Sequence, residues 1–379
     1  MNTIKEAIYS NNYPLALELI NKGESWNLDN FSSSQIYRTL IQKDAYEVLE
    51  AFIDKGHISL DVFEYDKFDN TVFSLLTDAK PTEKRNSFLD KILPEVENID
   101  DELMGITWLA YAVREKGSVE FIQKLIDNGC SLNWKSNAGE NLLFLTQDIE
   151  KSKFLLEQGL GVNTQNAGGN TPIFRAIEKK NKELIGLYAA YGAEMNIQNI
   201  KGETPYHKVL FTAVDSSLYE LMSGFEPVRL DLRNKNNQSL FFEYVDYCPL
   251  SWNEETALLK LLIADGADLF QAENNLYGNE LTPAQILARK SFSAFEMLTQ
   301  QEGFNPNEQD NKGNTWLHYV CSENLNYEQS KAQELYKKVK TLLSLGADPN
   351  ITNDEDKTPI DVAQDDDLKS KALALMLKK

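Results

Sequence analysis

Apolar residues recur along the chain at the spacing of amphipathic helices, and the pattern predicts these helices in pairs. In the clearest copy, a first helix over Pro172 to Lys179 and a second over Asn181 to Tyr191 each carry one apolar face. Thr171 is a suitable N-cap, and Pro172 suits the first turn because a backbone N–H there has no intrahelical partner. Gly192 can end the second helix in the left-handed conformation. The pattern predicts an all-α fold.

The polar turn that opens this pair, followed by Thr-Pro or a variant, recurs through the chain. The starts are at Thr71, Thr107, Asn141, Thr171, Thr204, Ser239, Thr282, Thr315 and Thr358. Most spacings between them lie near 33 residues, and two are 43 residues. Weaker apolar copies over 3–23 and 33–56 bring the total to about eleven repeats. One helix pair cannot close a core, so stacked pairs are expected to bury a continuous one.

A period near 33 residues that opens with Thr-Pro, and in the copies at 202–207 and 313–318 continues to His, resembles the ankyrin-repeat family. Closing Gly-Ala-Asp segments at 266–268 and 346–348 strengthen the resemblance. It implies an all-α solenoid of helix-turn-helix repeats joined by hairpin-like loops, right-curved with a concave face. We expect a single solenoid domain over 1–379, with capping repeats at 1–30 and 358–379. The degenerate motifs and the Asn- and Lys-rich composition resemble bacterial members.

The charge limits the classes of partner. The chain has 58 acidic and 38 basic residues, a net charge of −20. This charge disfavours nucleic acid and anionic membranes, which need a basic footprint, and favours a basic protein partner. The alternative is that the charge serves only solubility.

The predicted compartment is the cytoplasm. Cys130, Cys248 and Cys321 are few and far apart, as in proteins of reducing compartments. The first residues lack the apolar core of a signal peptide, and no stretch approaches the roughly 18 apolar residues of a membrane span. Secretion without a classical signal peptide stays open.

The residues that could carry chemistry are few, and we predict no enzyme, no cofactor and no metal site. His207 and His318 stand at the histidine position of the repeat, where the family resemblance implies a structural hydrogen bond. His318 and Cys321 are three residues apart and could form a nucleophile pair, but no third group that would orient them is evident. Metal-ligand spacings and phosphate-binding glycine loops are absent from the sequence.

Binding to another molecule therefore remains as the predicted function. Large apolar residues in the loops are the candidate binding residues, because folding places few constraints on the loops and such residues are enriched at interfaces. Insertions over 243–252 and 322–340 add aromatic residues between two first and second helices. The predicted partner-binding residues are Tyr65, Phe68, Met104, Trp134, Lys135, Ile200, Tyr247, Trp252 and Tyr327. The alternatives are that Phe68 and Trp134 pack on neighbouring repeats and that the insertions only lengthen helix pairs.

The predicted function is a non-enzymatic scaffold that binds another protein through a concave acidic face and through the hairpin tips. Two more specific roles stay open. One is an immunity protein that neutralises a cognate toxin, which would be basic and nuclease-like. The other is a secreted bacterial effector that engages a host protein. We expect a monomer, because the terminal copies resemble caps.

Overall fold

The computed structural model of the chain consists of helices and one short β-hairpin, and it describes residues 3–24, 30–250, 253–300, 303–364 and 366–378. The chain forms two compact units: Met1–Ala176 with Glu183–Ala193, and Ile177–Lys182 with Glu194–Lys379. Within the described residues, the helices follow one another as eleven pairs. The predicted all-α repeat fold is confirmed, while the single domain with capping repeats and its concave curvature stay predictions.

The helices of the first unit alternate between first and second members of a pair. They are α1 (Ile4–Tyr9), α2 (Tyr13–Asn21), α3 (Asn30–Gln42), α4 (Tyr46–Asp54), α5 (Val72–Asp78), α6 (Glu83–Ile92), α7 (Trp108–Arg114), α8 (Val119–Asp127), α9 (Ile149–Glu157), α10 (Pro172–Glu178) and α11 (Lys182–Ala190). The last residues of α10 and the first of α11 belong to the second unit. A 3₁₀-helix, Leu142–Leu145, is the first member of the pair that α9 completes. Further 3₁₀ turns lie at Val62–Glu64 and Leu93–Glu95.

The second unit continues the alternation. Its helices are α12 (Pro205–Lys208), α13 (Ser216–Ser223), α14 (Leu240–Tyr247), α15 (Asn253–Ala264), α16 (Pro283–Arg289), α17 (Phe292–Thr299), α18 (Trp316–Cys321), α19 (Gln329–Ser344), α20 (Pro359–Ala363) and α21 (Ser370–Met376). A π-helix, Val209–Ala213, extends α12, and a 3₁₀ turn, Asp367–Lys369, precedes α21. Strands β1 (Glu273–Asn274) and β2 (Glu280–Leu281) pair antiparallel, with Glu273 opposite Leu281.

Within each unit, first helices stack on first helices and second helices on second helices. In the first unit α3 contacts α5 and α5 contacts α7, while α2 contacts α4 and α4 contacts α6. In the second unit α14, α16, α18 and α20 form one such row, and α17, α19 and α21 form the other. The core is therefore continuous between neighbouring pairs, as expected for repeats that cannot bury their apolar faces alone.

Hydroxyl N-caps start most of the first helices, as the motif predicts. The Thr107 hydroxyl accepts the Ala110 N–H at 3.3 Å, and the Thr282 hydroxyl accepts the Gln285 N–H at 3.2 Å. The predicted side-chain N-cap at Thr171, in the clearest sequence copy, is wrong. Its hydroxyl has no hydrogen-bond partner among the described residues, because the Phe174 N–H donates to the Thr171 carbonyl instead, at 3.1 Å. The first turn is therefore of the tight 3₁₀ type, and its N–H donates to a backbone carbonyl rather than to the Thr171 hydroxyl.

The turns between pairs share one side-chain device. Asn166 Oδ1 accepts the N–H groups of Gly168 and Asn170, at 2.9 and 3.0 Å, so the turn is closed by its own first residue. The residues that play this role are Ser136, Asn166, Asn199, Asn234, Asn275, Asp310 and Asn353. The tips also bond to each other, as in the Ala167 N–H to the Ala138 carbonyl. Such turns leave the side chains at their tips available for binding.

Basic side chains, most of them buried, cap the carboxyl ends of several first helices. The ammonium of Lys151 donates to the carbonyls of Val113, at 3.1 Å, and of Ala112 and Glu115, at the end of α7. The same arrangement recurs within the described residues as Arg85 on Leu76, Arg175 on Phe144, Lys290 on Cys248, Lys338 on Ala288 and Lys369 on Cys321. Burial lowers the pKa of Lys151, Lys290 and Lys338. Helix carbonyls that water cannot reach need these donors.

We expect Lys151→Met to lower the free energy of unfolding by about 2 kcal/mol, because the carbonyls at the end of α7 would stay buried without a donor. Urea unfolding followed by circular dichroism measures this change.

The matched control is Lys153→Met on the same helix. Lys153 is exposed and lies 3.9 Å from Glu157, so its loss should change stability by less than about 0.5 kcal/mol. Equal losses from both variants would contradict the capping role of Lys151.

Candidate interaction surface

A two-residue turn in the first unit presents the most exposed of the predicted binding residues in that unit. Leu103 and Ile106 exchange backbone hydrogen bonds of 3.0 and 3.3 Å, which leaves Met104 and Gly105 at the tip. Both tip residues have positive φ, 53° and 78°, as in a type I′ turn. The Met104 side chain is 83% exposed. A methionine at a position that favours Asn or Gly stores backbone strain, which is often found at functional sites.

Acidic residues are frequent in the segment that carries this turn and in the segment that pairs with it. Segment 61–69 lies beside segment 95–106, because the Val62 N–H donates to the Glu97 carbonyl at 3.1 Å and the Glu97 N–H donates to the Leu60 carbonyl at 3.0 Å. Together the two segments carry nine carboxylates and one lysine, Lys67. Exposed Phe63 adds a second apolar side chain. We call segments 61–69 and 95–106 the tip surface.

A groove of about 390 Å³ opens beside Met104. Its walls include Phe68, Tyr111, Arg114 and Trp134. The Tyr111 hydroxyl lies 3.3 Å from Asp69 Oδ1, and burial together with Asp69 raises the pKa of Tyr111 to about 12. The Arg114 guanidinium lies 5.3 Å from the centre of the Tyr111 ring. The groove thus combines aromatic walls with charges of both signs at its rim.

The structure brings Phe68, Met104 and Trp134 together at this groove, but gives them different roles. The Phe68 ring lies 5.4 Å from the Tyr111 ring, and Trp134 is only 7% exposed. Both side chains are buried, and Phe68 packs on Tyr111 of the next helix pair. Tyr65 is half-buried, and its hydroxyl donates to the Ser59 carbonyl. Lys135 is exposed.

The remaining candidates lie in the second unit. Ile200, Tyr247 and Tyr327 are exposed there, and Tyr327 has a φ of 62° in the connection between α18 and α19. Trp252 lies outside the described residues. The insertion over 322–340 forms that connection and then lengthens α19, in agreement with the helix-lengthening alternative.

Sequence reasoning missed several exposed apolar residues, among them Phe63, Leu276 and Tyr277. The available signal for the last two was their position directly before Gly278, at the tip of the turn that Asn275 closes.

The two motif histidines are buried in capping boxes. Nδ1 of His318 accepts the Thr315 N–H at 3.0 Å, and Nε2 lies 3.0 Å from the Lys357 carbonyl. Both ring nitrogens are thus engaged. Cys321 Sγ lies 4.0 Å from Met376 Sδ, inside the core. The sequence pair His318 and Cys321 therefore forms structural contacts rather than an exposed nucleophile and base.

His207 repeats this arrangement with one difference. Its Nδ1 accepts the Thr204 N–H at 2.8 Å, but its Nε2 lies 3.6 Å from the Glu243 carboxylate and has no hydrogen-bond partner among the described residues. Burial lowers the pKa of His207 to about 4.

Within the part of the chain that the structure describes, no three His, Cys, Asp or Glu side chains converge as a metal site. Likewise, none of the described helices combines the length and apolar character needed to cross a bilayer. Burial raises the pKa of the Cys130 and Cys248 thiols to about 12, so thiolate chemistry is disfavoured at both.

Comparison with known proteins bears on the class of protein. The family model for ankyrin repeats, with three copies, matches residues 109–199. An ankyrin repeat protein of Rickettsia bellii (strain RML369-C) is 40% identical over 55 residues, which cover 14% of this chain and 33% of that protein. An ankyrin repeat protein of Acanthamoeba polyphaga mimivirus is 30% identical over 92 residues, or 22% of each chain. The chain thus spans a third or less of the curated relatives it matches.

Among solved structures, the chain is similar to the ankyrin repeat domain of Bcl-3, a member of the IkappaB protein family. The TM-score is 0.47 at 19% identity, and the similarity covers 73% of this chain and 99% of that domain.

Residues 109–199 match ankyrin repeats, and the resemblance inferred from the Thr-Pro spacing is confirmed. Ankyrin repeats are scaffolds for protein–protein interaction, so a protein partner is expected. Membership of a bacterial group stays a prediction.

We expect Met104→Asn to raise the free energy of unfolding by about 0.5 to 1 kcal/mol, because Asn adopts the left-handed conformation at lower cost. Urea unfolding measures the gain. Ile200→Asn is the matched control, since Ile200 is an exposed tip residue without positive φ. A gain at Ile200 equal to that at Met104 would refute the assignment of strain to Met104.

We expect stability to fall as the pH is lowered from about 6.5 to 4, in part through His207. The unfolded chain binds a proton below its ordinary pKa of about 6.5, whereas folded His207 does so only near pH 4. The contribution is therefore fully present at neutral pH and lost over this interval.

His207→Gln should flatten that loss. Gln285 already plays the same capping role, accepting the Thr282 N–H at 3.0 Å, so Gln keeps the cap and removes the titration. Urea unfolding of both proteins at pH 7 and pH 4.5 gives the comparison. An identical pH dependence in the variant would exclude the proton linkage at His207.

Proposed function

We propose that the chain is a non-enzymatic scaffold whose tip surface binds a basic segment of a partner protein. The observation that carries the proposal is Met104, which is exposed and strained at the edge of the groove, in a segment, 95–106, that carries five carboxylates. An apolar anchor beside a partly formed pocket is the usual centre of a protein interface. The concave acidic face implied by the ankyrin resemblance belongs to the same proposal.

The groove supports an apolar contribution from the partner. Phe68, Tyr111 and Trp134 hold its walls in place through packing within the core, so they need not reorganise on binding. Preorganised walls reduce the entropic cost of association. A partner side chain that enters the groove would contact Met104 at the rim and the aromatic residues below it.

The charges support a basic partner. The tip surface has nine carboxylates and a single lysine, Lys67, so it attracts lysine and arginine side chains. Such complementarity mainly increases the association rate and the specificity, and salt weakens it.

Two biological roles remain within the proposal. A surface of this charge suits an immunity protein that occludes the basic site of a nuclease-like toxin. It equally suits a bacterial effector that engages a basic host protein. The acidic tip surface supports both, and the identity of the captured partner distinguishes them.

The test is affinity capture with the tagged chain from lysates of the source organism and of candidate host cells, at 50 and 300 mM salt. We expect a basic protein that is retained at low salt and largely lost at high salt. Met104→Asp should reduce its capture at least tenfold, since Asp tolerates the turn but cannot serve as an apolar anchor.

Leu377→Asp is the control, because Leu377 is 70% exposed directly after α21 and belongs to the other unit. It should leave capture unchanged. Undiminished capture by Met104→Asp would refute the tip surface as the binding site.

A further inference from the structure

A second concave site lies in the second unit, where α12 passes into the π-helix Val209–Ala213. It is a cavity of about 200 Å³, lined by Glu203, His207, Lys208, Phe211, Thr212, Glu243 and Tyr247. We call it the 207 pocket. A π-helix is rare and is frequently found at functional sites. Here it is followed by Val214 in the left-handed region, at φ 45°, which is an unfavourable conformation for a β-branched residue.

The 207 pocket has an aromatic wall. The centre of the Phe211 ring lies 5.8 Å from that of Tyr247 and 5.7 Å from that of Tyr244. Tyr247 is 77% exposed, so its ring contributes little to the core. The faces of such rings attract cations.

Two carboxylates that also line the 207 pocket each accept a hydrogen bond from an amide side chain. Asn199 Nδ2 donates to Glu203 at 2.9 Å, and Asn234 Nδ2 donates to Glu243 at 2.7 Å. One oxygen of each carboxylate accepts no hydrogen bond from the described residues. Lys208, the lysine at the pocket, lies 3.1 Å from Glu178 and is paired there. Burial, with Glu203 nearby, raises the pKa of Glu243, which is consistent with a pocket that lacks a cation of its own.

His207 shows that the 207 pocket is incomplete. It is 6% exposed, and because Nδ1 accepts the Thr204 N–H, the proton lies on Nε2. That N–H has no partner among the described residues and faces Glu243 at 3.6 Å. The same nitrogen of the equivalent histidine, Nε2 of His318, lies 3.0 Å from the Lys357 carbonyl. A buried donor without an acceptor is costly, so this feature indicates a site that a ligand completes.

We infer that the 207 pocket receives an arginine side chain of the protein partner. A planar guanidinium can donate to the unused oxygens of Glu203 and Glu243 and stack on the Tyr247 ring, which an ammonium cannot do as well. By fixing the Glu243 carboxylate, it also lets that carboxylate accept the Nε2–H of His207. The inference rests on the proposed function only in assigning the arginine to a protein partner.

The test uses N-acetyl-L-arginine amide as the probe on the full chain with ¹³C-labelled histidine rings. The chain has three histidines, so the His207 signal can be assigned with His207→Gln. We expect a saturable shift of the His207 signal with a Kd of the order of 1 mM, as suits a small ligand. The His57 and His318 signals should not move.

Two further probes test the chemistry on the unaltered protein. N-acetyl-L-citrulline amide has the same shape without the charge and should bind at least tenfold more weakly. N-acetyl-L-lysine amide should bind at least threefold more weakly. No saturable shift with the arginine probe, or equal affinity for either of the other two, would overturn the assignment.

Variants then locate the site. Glu243→Gln should weaken the arginine probe at least tenfold and Tyr247→Ala about threefold, since cation–π contacts at exposed sites are modest. Glu220→Gln makes the same charge change at an exposed position on α13 and should have no effect. Equal effects of Glu220→Gln and Glu243→Gln would refute the 207 pocket.

The outcome is separable from that of the proposed function. The probe experiment needs no partner, and the tip surface lies in the other unit. Partner capture that depends on Met104, together with no binding of the arginine probe, would refute the 207 pocket alone.

Discussion

The carboxyl ends of the first helices are the constraint on which the stacking of this chain depends. Each end carries carbonyl groups without helical partners, and at six of these ends within the described residues a basic side chain donates to one of them. Lys151 at the end of α7 and Lys338 at the end of α16 show the solution, a cation from the following pair. Neighbouring pairs therefore need each other for hydrogen bonds as well as for apolar burial.

This arrangement also shapes the surface charge. Arg85, Lys338 and Lys369 are among the cations buried inside the protein, and there they cannot neutralise the carboxylates outside. The net charge of −20 therefore understates how acidic the exposed loops are. Segments 61–69 and 95–106 are the clearest case, with one lysine among nine carboxylates. The burial of these cations in the fold thus bears on the proposed preference for a basic partner.

The turns between helix pairs, in contrast, leave the residues at their tips free to vary. Asn166 and its equivalents close each turn through their own side chains, so the tip residues contribute little to the fold. Met104 and Gly105 occupy a tighter turn of another type, in which the exposed methionine is held at the cost of strain. In the second unit the π-helix serves a similar purpose, because it opens the 207 pocket beside a histidine whose equivalent, His318, is fully engaged. Both departures from the repeat pattern lie at the proposed binding sites.

The sequence by itself determined the repeat. Thr-Pro starts, apolar periodicity and terminal glycines specified the all-α fold and about eleven helix pairs, because caps and periodicity act over a few residues. Local signals also placed Met104, Ile200 and Tyr247 at exposed positions.

Only the tertiary structure decided which candidate binding residues are exposed to a partner. Phe68 and Trp134 are as large and apolar as any interface anchor, yet both are buried, and Phe68 packs on Tyr111 of the next helix pair. The missing hydroxyl cap at Thr171 and the unpaired Nε2–H of His207 likewise depend on how the first turn tightens and on where Glu243 lies. Burial and pairing of this kind are set by contacts about one repeat apart in the sequence, and no local pattern encodes them.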